Sequence, residues 1–210
     1  MVARGLRIDE DGTCRCAWAG SDPLYIRYHD TEWGLPVADE HRLFEKLCLE
    51  GFQAGLSWLT ILRKREAFRR AFAGFDPEVV ARFDARRVRT LLADAAIVRH
   101  RGKIESAIQN ARRVLDIRER HGSLGAYVWR FEPAPSARPR RVTYAYLMKS
   151  NKTLESIALS KALKQDGFTF VGPTTVYAFM QAMGLVDDHL DGCTVRVQVE
   201  RARARFVRPR

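Results

Sequence analysis

Four residues able to bind a metal sit at opposite ends of the chain: Cys16 and His29 near its start, His189 and Cys193 near its end. Thiolate and imidazole donors select zinc, and a closed set of two cysteines and two histidines serves structure rather than catalysis. The His-x-x-x-Cys spacing of the second pair puts both donors on one side of a helical turn or a tight loop. A single Zn²⁺ taking all four would tie the two ends of the protein together. The alternative is that the cysteines pack as small apolar groups. Cys14, two residues from Cys16, competes as a donor.

Between the first pair and residue 58 the chain is dense in aromatic rings. Trp18, Trp33 and Trp58 fall in this stretch with Tyr25 and Tyr28. A core uses such rings too, but Tyr25 and Tyr28 stand among Asp22, Arg27, His29, Asp30 and Glu32, unlike a core stripe. Aromatic faces beside carboxylates suit a pocket for a flat, electron-poor ring. Glu50 is the acid best placed to serve it. It follows Leu47-Cys48-Leu49, and Gly51 is expected to end that helix. A carboxylate there opposes the helix dipole and sits among apolar neighbours, so it breaks a local rule of the kind function breaks. An ordinary solvated glutamate is the competing reading.

The elements that must position these residues are helical. Leu43, Phe44, Leu47 and Cys48 form one stripe; Leu56, Leu59 and Leu62 begin a second. Asp76-Pro77 is a cap followed by a first-turn proline. Ile104, Ala107, Ile108, Ala111, Val114 and Leu115 give the clearest period of 3.6, stopped by His121-Gly122. Residues 132–141 read as a Pro/Arg loop. The run VRVQVE, residues 195–200, alternates like a short strand. The fold class expected is mainly α, as a single globular domain over residues 1–210. Within it, residues 16–193 form the core, and residues 1–13 and 196–210 are expected as flexible basic tails.

Composition narrows the function classes. The 210 residues carry 36 Lys+Arg against 25 Asp+Glu, a net charge of +11. That excess is the electrostatic footprint of a nucleic-acid binder, although a generally Arg-rich proteome would produce it too. No apolar run is long enough for a membrane span, and the N-terminal segment lacks a signal-peptide core. A cytoplasmic monomer is expected, with its cysteines reduced.

A helix capped by Thr153 is followed by Gly167-Phe168-Thr169-Phe170-Val171-Gly172-Pro173 and then by a further helical run to Met183-Gly184. Helix, short glycine-ended loop, helix is the helix-hairpin-helix plan, whose loop amides hold a DNA phosphate. A plain αα-corner explains the pattern equally well.

These residues together resemble the type I 3-methyladenine DNA glycosylase (TAG) family. The matching pieces are CAW (16–18), DPLYIRYHDTEWG (22–34), LFEKLCLEGFQAGLSWLTIL (43–62), IVRHRGKIES (97–106), LSKALKQDGFTFVG (159–172) and FMQAMGLVDDHLDGC (179–193). The resemblance implies a helix-hairpin-helix DNA glycosylase fold with a zinc site joining the N- and C-terminal segments, held by Cys16, His29, His189 and Cys193. It implies that Glu50 is catalytic and that Tyr28, Trp58, Trp18 and Trp33 bind the flipped base. It places Gln53, Leu56 and Gly172 on alkylated double-stranded DNA. Phe52 stands where the family often carries glutamine, which would remove one polar DNA contact. Asp187 falls where wider helix-hairpin-helix glycosylases place a catalytic aspartate, a possible auxiliary role. Pro173, Thr174 and Thr175 follow the hairpin glycine, so the lysine that Schiff-base lyases use there is absent and a monofunctional hydrolase is expected. A broader alkyl-purine glycosylase and a non-catalytic zinc-containing DNA-binding module are the competing functions.

Overall fold

The computed structural model of the chain describes residues 2–149 and 151–210. Two short antiparallel strands, β1 (Leu6–Ile8) and β2 (Cys14–Cys16), pair Leu6 with Cys16 and Ile8 with Cys14. Eleven α-helices follow among the described residues. They are α1 (Pro23–Thr31), α2 (Glu40–Gln53), α3 (Trp58–Ala71), α4 (Pro77–Val80), α5 (Ala85–Ala93) and α6 (Arg101–His121). After them come α7 (Leu124–Trp129), α8 (Tyr144–Lys149), α9 (Leu154–Gln165), α10 (Pro173–Ala182) and α11 (Thr194–Arg205). The expected mainly helical character holds.

Side-chain caps start most of these helices. Asp22 accepts from Leu24 N, Asp39 from Arg42 N, Ser57 from Thr60 N and Asp76 from Glu78 N. Each satisfies an amide that the first turn leaves unpaired. Helix α2 is central and packs on α3, α6, α7 and α10. Its inward stripe of Leu43, Phe44, Leu47 and Phe52 is fully buried.

Two expectations fail at the chain ends. Residues 1–13 include a paired strand rather than a flexible tail. Residues 195–200 lie in α11, not in a strand, and the expected C-terminal tail is helical to Arg205. Val195 and Val199 point inward one helical turn apart, while Val197 is 50% exposed. The alternation was half of a helical i, i+4 pattern. The end of α11 and the residues after it are fastened to α7 and the chain leaving it: Phe206 packs on Trp129 at 4.6 Å between ring centres, and Arg203 and Arg208 both pair with Glu132 at 2.7 and 2.9 Å. Gly51 does not end α2, which continues to Gln53. Its missing side chain instead leaves room for Phe170, whose Cβ would lie 3.2 Å from a Cβ at position 51.

Gly184, just after α10, has φ +75°, and a Cβ there would fall 2.5 Å from the backbone nitrogen of Pro36. This contact brings the C-terminal segment against the chain leaving α1. Gly184→Ala therefore combines an unfavourable backbone conformation with a backbone clash. It is expected to lower stability by roughly 2–4 kcal/mol in urea denaturation.

Candidate active site and metal centre

The aromatic and acidic residues converge on one cavity of about 310 Å³, lined by Trp18, Tyr25, Tyr28, Trp33, Glu50, Gln53 and Trp58, with Leu147 and Met148 of α8 on one side. Three elements build it. Helix α1 delivers Tyr28, the last full turn of α2 delivers Glu50, and the first residue of α3 delivers Trp58. Tyr28 and Trp58 stand 5.4 Å apart between ring centres, and Trp18 meets Trp33 edge-on at 4.8 Å. Glu50 is 6% exposed, so the solvated reading fails. The indole N–H of Trp58 is buried without a protein partner. Burial first, and the Glu50 charge second, hold the Tyr28 phenol well above the ordinary tyrosine range, so it remains a neutral hydroxyl.

Sequence reasoning missed Lys46. It lies one helical turn before Glu50 on α2, is 5% exposed, and its ammonium contacts Glu50 Oε1 at 2.9 Å. It also donates to the Tyr28 hydroxyl at 2.7 Å and sits 3.3 Å from the Trp58 ring centre. Burial pulls its pKa below the ordinary lysine value, and the Glu50 carboxylate opposes that pull. The signal was available as the i, i+4 spacing of a lysine and a glutamate flanked by Leu43, Phe44, Leu47 and Cys48. The Lys46 side is a second, smaller space sharing the Tyr28–Trp58 wall, where Arg65 holds Glu32 through two bonds of 2.5 and 2.8 Å.

Three of the four expected metal ligands come together, from β2, α1 and the start of α11, with His189 of the 187–193 segment beside them. Donor atoms of Cys16, His29 and Cys193 lie within 4.8 Å of one another, all buried. The His189 ring is 5.0 Å from that of His29, and its Nε2 is buried with no protein partner. Cys14 is not in the group. Each imidazole turns Nδ1 to a carboxylate, His29 to Asp30 at 2.7 Å and His189 to Asp187 at 2.8 Å. This arrangement fixes the ring orientation of metal-binding histidines and frees Nε2 as the donor. Arg15 in turn grips Asp30 at 2.9 and 3.1 Å. The contact with the Cys16 thiol lowers the pKa of Cys193, and the same contact raises that of Cys16. A buried imidazole nitrogen without a protein partner, close to two buried thiols and a second imidazole, fits a bound cation.

Trp18 and Trp33 join the two centres. Trp18 packs 5.1 Å from the His29 ring and Trp33 4.6 Å from the His189 ring, while both line the cavity. Asp187 is not in the cavity: its Oδ1 is on His189, and its Oδ2 is buried without a partner. The expected auxiliary position beside the base is thus replaced by one beside His189, an expected metal ligand. Phe52 is turned inward against Phe68 at 4.6 Å, so that position faces the core and not DNA. Gln53 lies on the cavity rim, and Leu56 is 41% exposed in the loop that follows. Gly172 caps α10 with φ −62°, and a Cβ there would meet nothing closer than 4.0 Å. Neither backbone nor packing demands glycine at that point, which leaves an open helix N-terminus. The preceding loop is pinned by Asn110, which accepts from Thr169 N at 2.9 Å and donates to Thr169 O at 3.0 Å.

Larger depressions exist elsewhere, one of about 510 Å³ beside Tyr144 and Leu190 and one of about 560 Å³ beside Glu132 and Arg203. Neither contains Glu50 or any of the clustered tryptophans.

Comparison with known proteins agrees with this geometry. The methyladenine glycosylase family model matches residues 18–197. The chain is 50% identical over 179 residues to DNA-3-methyladenine glycosylase 1 of Escherichia coli, covering 85% of this chain and 95% of that enzyme. It is 46% identical over 184 residues to the DNA-3-methyladenine glycosylase of Haemophilus influenzae, covering 86% and 97%. The solved structure of 3-methyladenine DNA glycosylase I from Staphylococcus aureus, a study of 3-methyladenine recognition, superposes with a TM-score of 0.80 at 40% identity over 87% of this chain and 96% of that one. The chain belongs to the methyladenine glycosylase family.

Proposed function

We propose that the protein is a DNA-3-methyladenine glycosylase that hydrolyses the bond between the damaged base and its deoxyribose in alkylated DNA. The carrying observation is Glu50, a buried carboxylate opening on a cavity walled by Tyr28, Trp58, Trp18 and Trp33. A flat cation fits that combination, and adenine methylated at N3 is one.

Methylation at N3 places a positive charge on the purine, so the bond from C1′ to N9 is already weak. Water adds at C1′ and releases a proton to solvent, the bond electrons pass to N9, and the base leaves neutral. The protein must extrude the base, recognise it and stabilise charge that shifts toward the sugar. Extrusion costs a few kcal/mol, least at a damaged pair. Stacking on Trp58 returns about 1–3 kcal/mol. Glu50 presents a fixed negative charge in a poorly solvated site, where such a charge acts most strongly. Tyr28 adds a neutral hydroxyl. Gln53 on the cavity lining and the exposed Leu56 beyond it suit entry into a duplex that has lost a base from its stack, and the open α10 N-terminus after Gly172 suits a DNA phosphate. The net charge of +11 supports a polyanionic partner. Residues 173–175 offer no lysine to the sugar, so the reaction ends at base release without strand nicking.

A zinc ion held by Cys16, His29, His189 and Cys193 would be structural: four protein donors leave no open position for water. These residues fasten β2, α1 and the C-terminal segment, and through Trp18 and Trp33 they support the cavity wall. Asp30 and Asp187 orient the two imidazoles.

The direct test incubates the protein with N-methylated duplex DNA and chromatographs the supernatant. Free 3-methyladenine without strand breaks is expected. Glu50→Gln is expected to slow release by roughly a hundredfold with the metal content unchanged. An undiminished rate would remove Glu50 from the reaction. Metal analysis should find one zinc per chain, and Asp187→Asn should weaken zinc retention against a competing chelator by roughly 10–100-fold. Base release by the zinc-loaded Asp187→Asn protein should stay within about twofold of normal. A large loss there, at full metal occupancy, would return Asp187 to the chemistry.

A further inference from the structure

We infer that Lys46 is a positioning residue of the base pocket, which holds the Glu50 carboxylate by one oxygen and sets the Tyr28 hydroxyl as a donor toward the base. The inference rests on the reading of the aromatic cavity as the base site.

An ammonium has three hydrogens and no lone pair. At Lys46 each close partner is a residue of the pocket: the ammonium donates to Tyr28 Oη at 2.7 Å, pairs with Glu50 Oε1 at 2.9 Å and sits 3.3 Å from the Trp58 ring centre. The consequence for Tyr28 is chemical. Its oxygen must accept from Lys46, so its own hydrogen is free to point into the cavity, where a purine ring nitrogen is an acceptor. The consequence for Glu50 is electrostatic. Burial disfavours any charge without a partner, and Lys46 supplies the countercharge on Oε1. The second carboxylate oxygen is left to the base. Lys46 itself stays behind the Tyr28–Trp58 wall, on the side of the Glu32–Arg65 pair, and is absent from the cavity lining. It therefore has no route to the sugar as a nucleophile.

A purely structural ion pair would be a poor solution at this place. Burying two charges returns little net stability over a well-packed apolar pair, while removing one partner is severe. A methionine at residue 46 would fill the same space in the stripe of α2. What an apolar side chain lacks is the ability to assign hydrogen-bond roles to Tyr28 and Glu50 at once.

A double-mutant cycle separates positioning from bulk stability. Single-turnover release of 3-methyladenine from N-methylated duplex DNA is measured for the wild-type chain, Lys46→Met, Glu50→Gln and the combination, together with binding of undamaged duplex. Lys46→Met is expected to slow release roughly tenfold in the presence of Glu50 and less than about twofold when Glu50→Gln is already present. Undamaged-duplex binding should not change. Lys46→Gln, similar in length but uncharged, serves if the methionine variant does not fold, and at least about a fivefold loss is expected of it. An equal loss in both backgrounds, or a release rate of the folded Lys46 variants matching wild type, would overturn the inference. A wild-type chain that releases no base would instead overturn the functional reading itself, so the two failures are told apart by the first arm.

Discussion

The site depends on how one short helix is held. Helix α1 has nine residues, too few to be stable alone, yet it carries Tyr28 and His29 side by side. Successive helical residues point about 100° apart, so one ring faces the cavity while the other faces the Cys/His centre. Fixing His29 therefore fixes Tyr28. Asp22 caps the start of the helix, and Arg15 on β2 reaches its end through Asp30, which holds His29. The N-terminal hairpin, the 187–193 segment and α1 meet at this point, and the cavity wall follows from it.

Charge burial is the second constraint. Glu50 and Lys46 are both almost inaccessible, and Glu32 with Arg65 lies just behind them. Such a layer is a costly way to fill space. It makes sense where a charge must be available at a fixed point in a site that excludes most water. The two histidine-bound carboxylates, Asp30 and Asp187, repeat the logic at the Cys/His cluster: each spends its negative charge on orienting an imidazole. Asp187 illustrates how sequence position misleads, because a residue next to an expected catalytic locus can face the opposite way.

Legibility in the sequence followed the range of the interaction. The helices with caps and a 3.6 period were readable, since their causes lie within a few residues. The aromatic cluster and Glu50 were readable because a carboxylate among apolar neighbours breaks a local pattern. Lys46 was not singled out: its partners include Tyr28, 18 positions away, and a lysine on a helix is ordinarily a solvated surface group. The inward turn of Phe52 depended on Phe68 and Phe72 of the next helix. The C-terminal segment misread as a strand and tail is decided by Glu132 and Trp129, far back in the chain, which anchor Arg203, Arg208 and Phe206.

The central claim is that the cavity in front of Glu50 receives the damaged base, and a crystal structure of the protein soaked with free 3-methyladenine tests it most directly. The account predicts purine density against Trp58, with the exocyclic amino group within hydrogen-bonding distance of Glu50 and a ring nitrogen near Tyr28 Oη. Density confined to the groove beside Tyr144 and Leu190, with the Glu50 cavity holding only water, would contradict it.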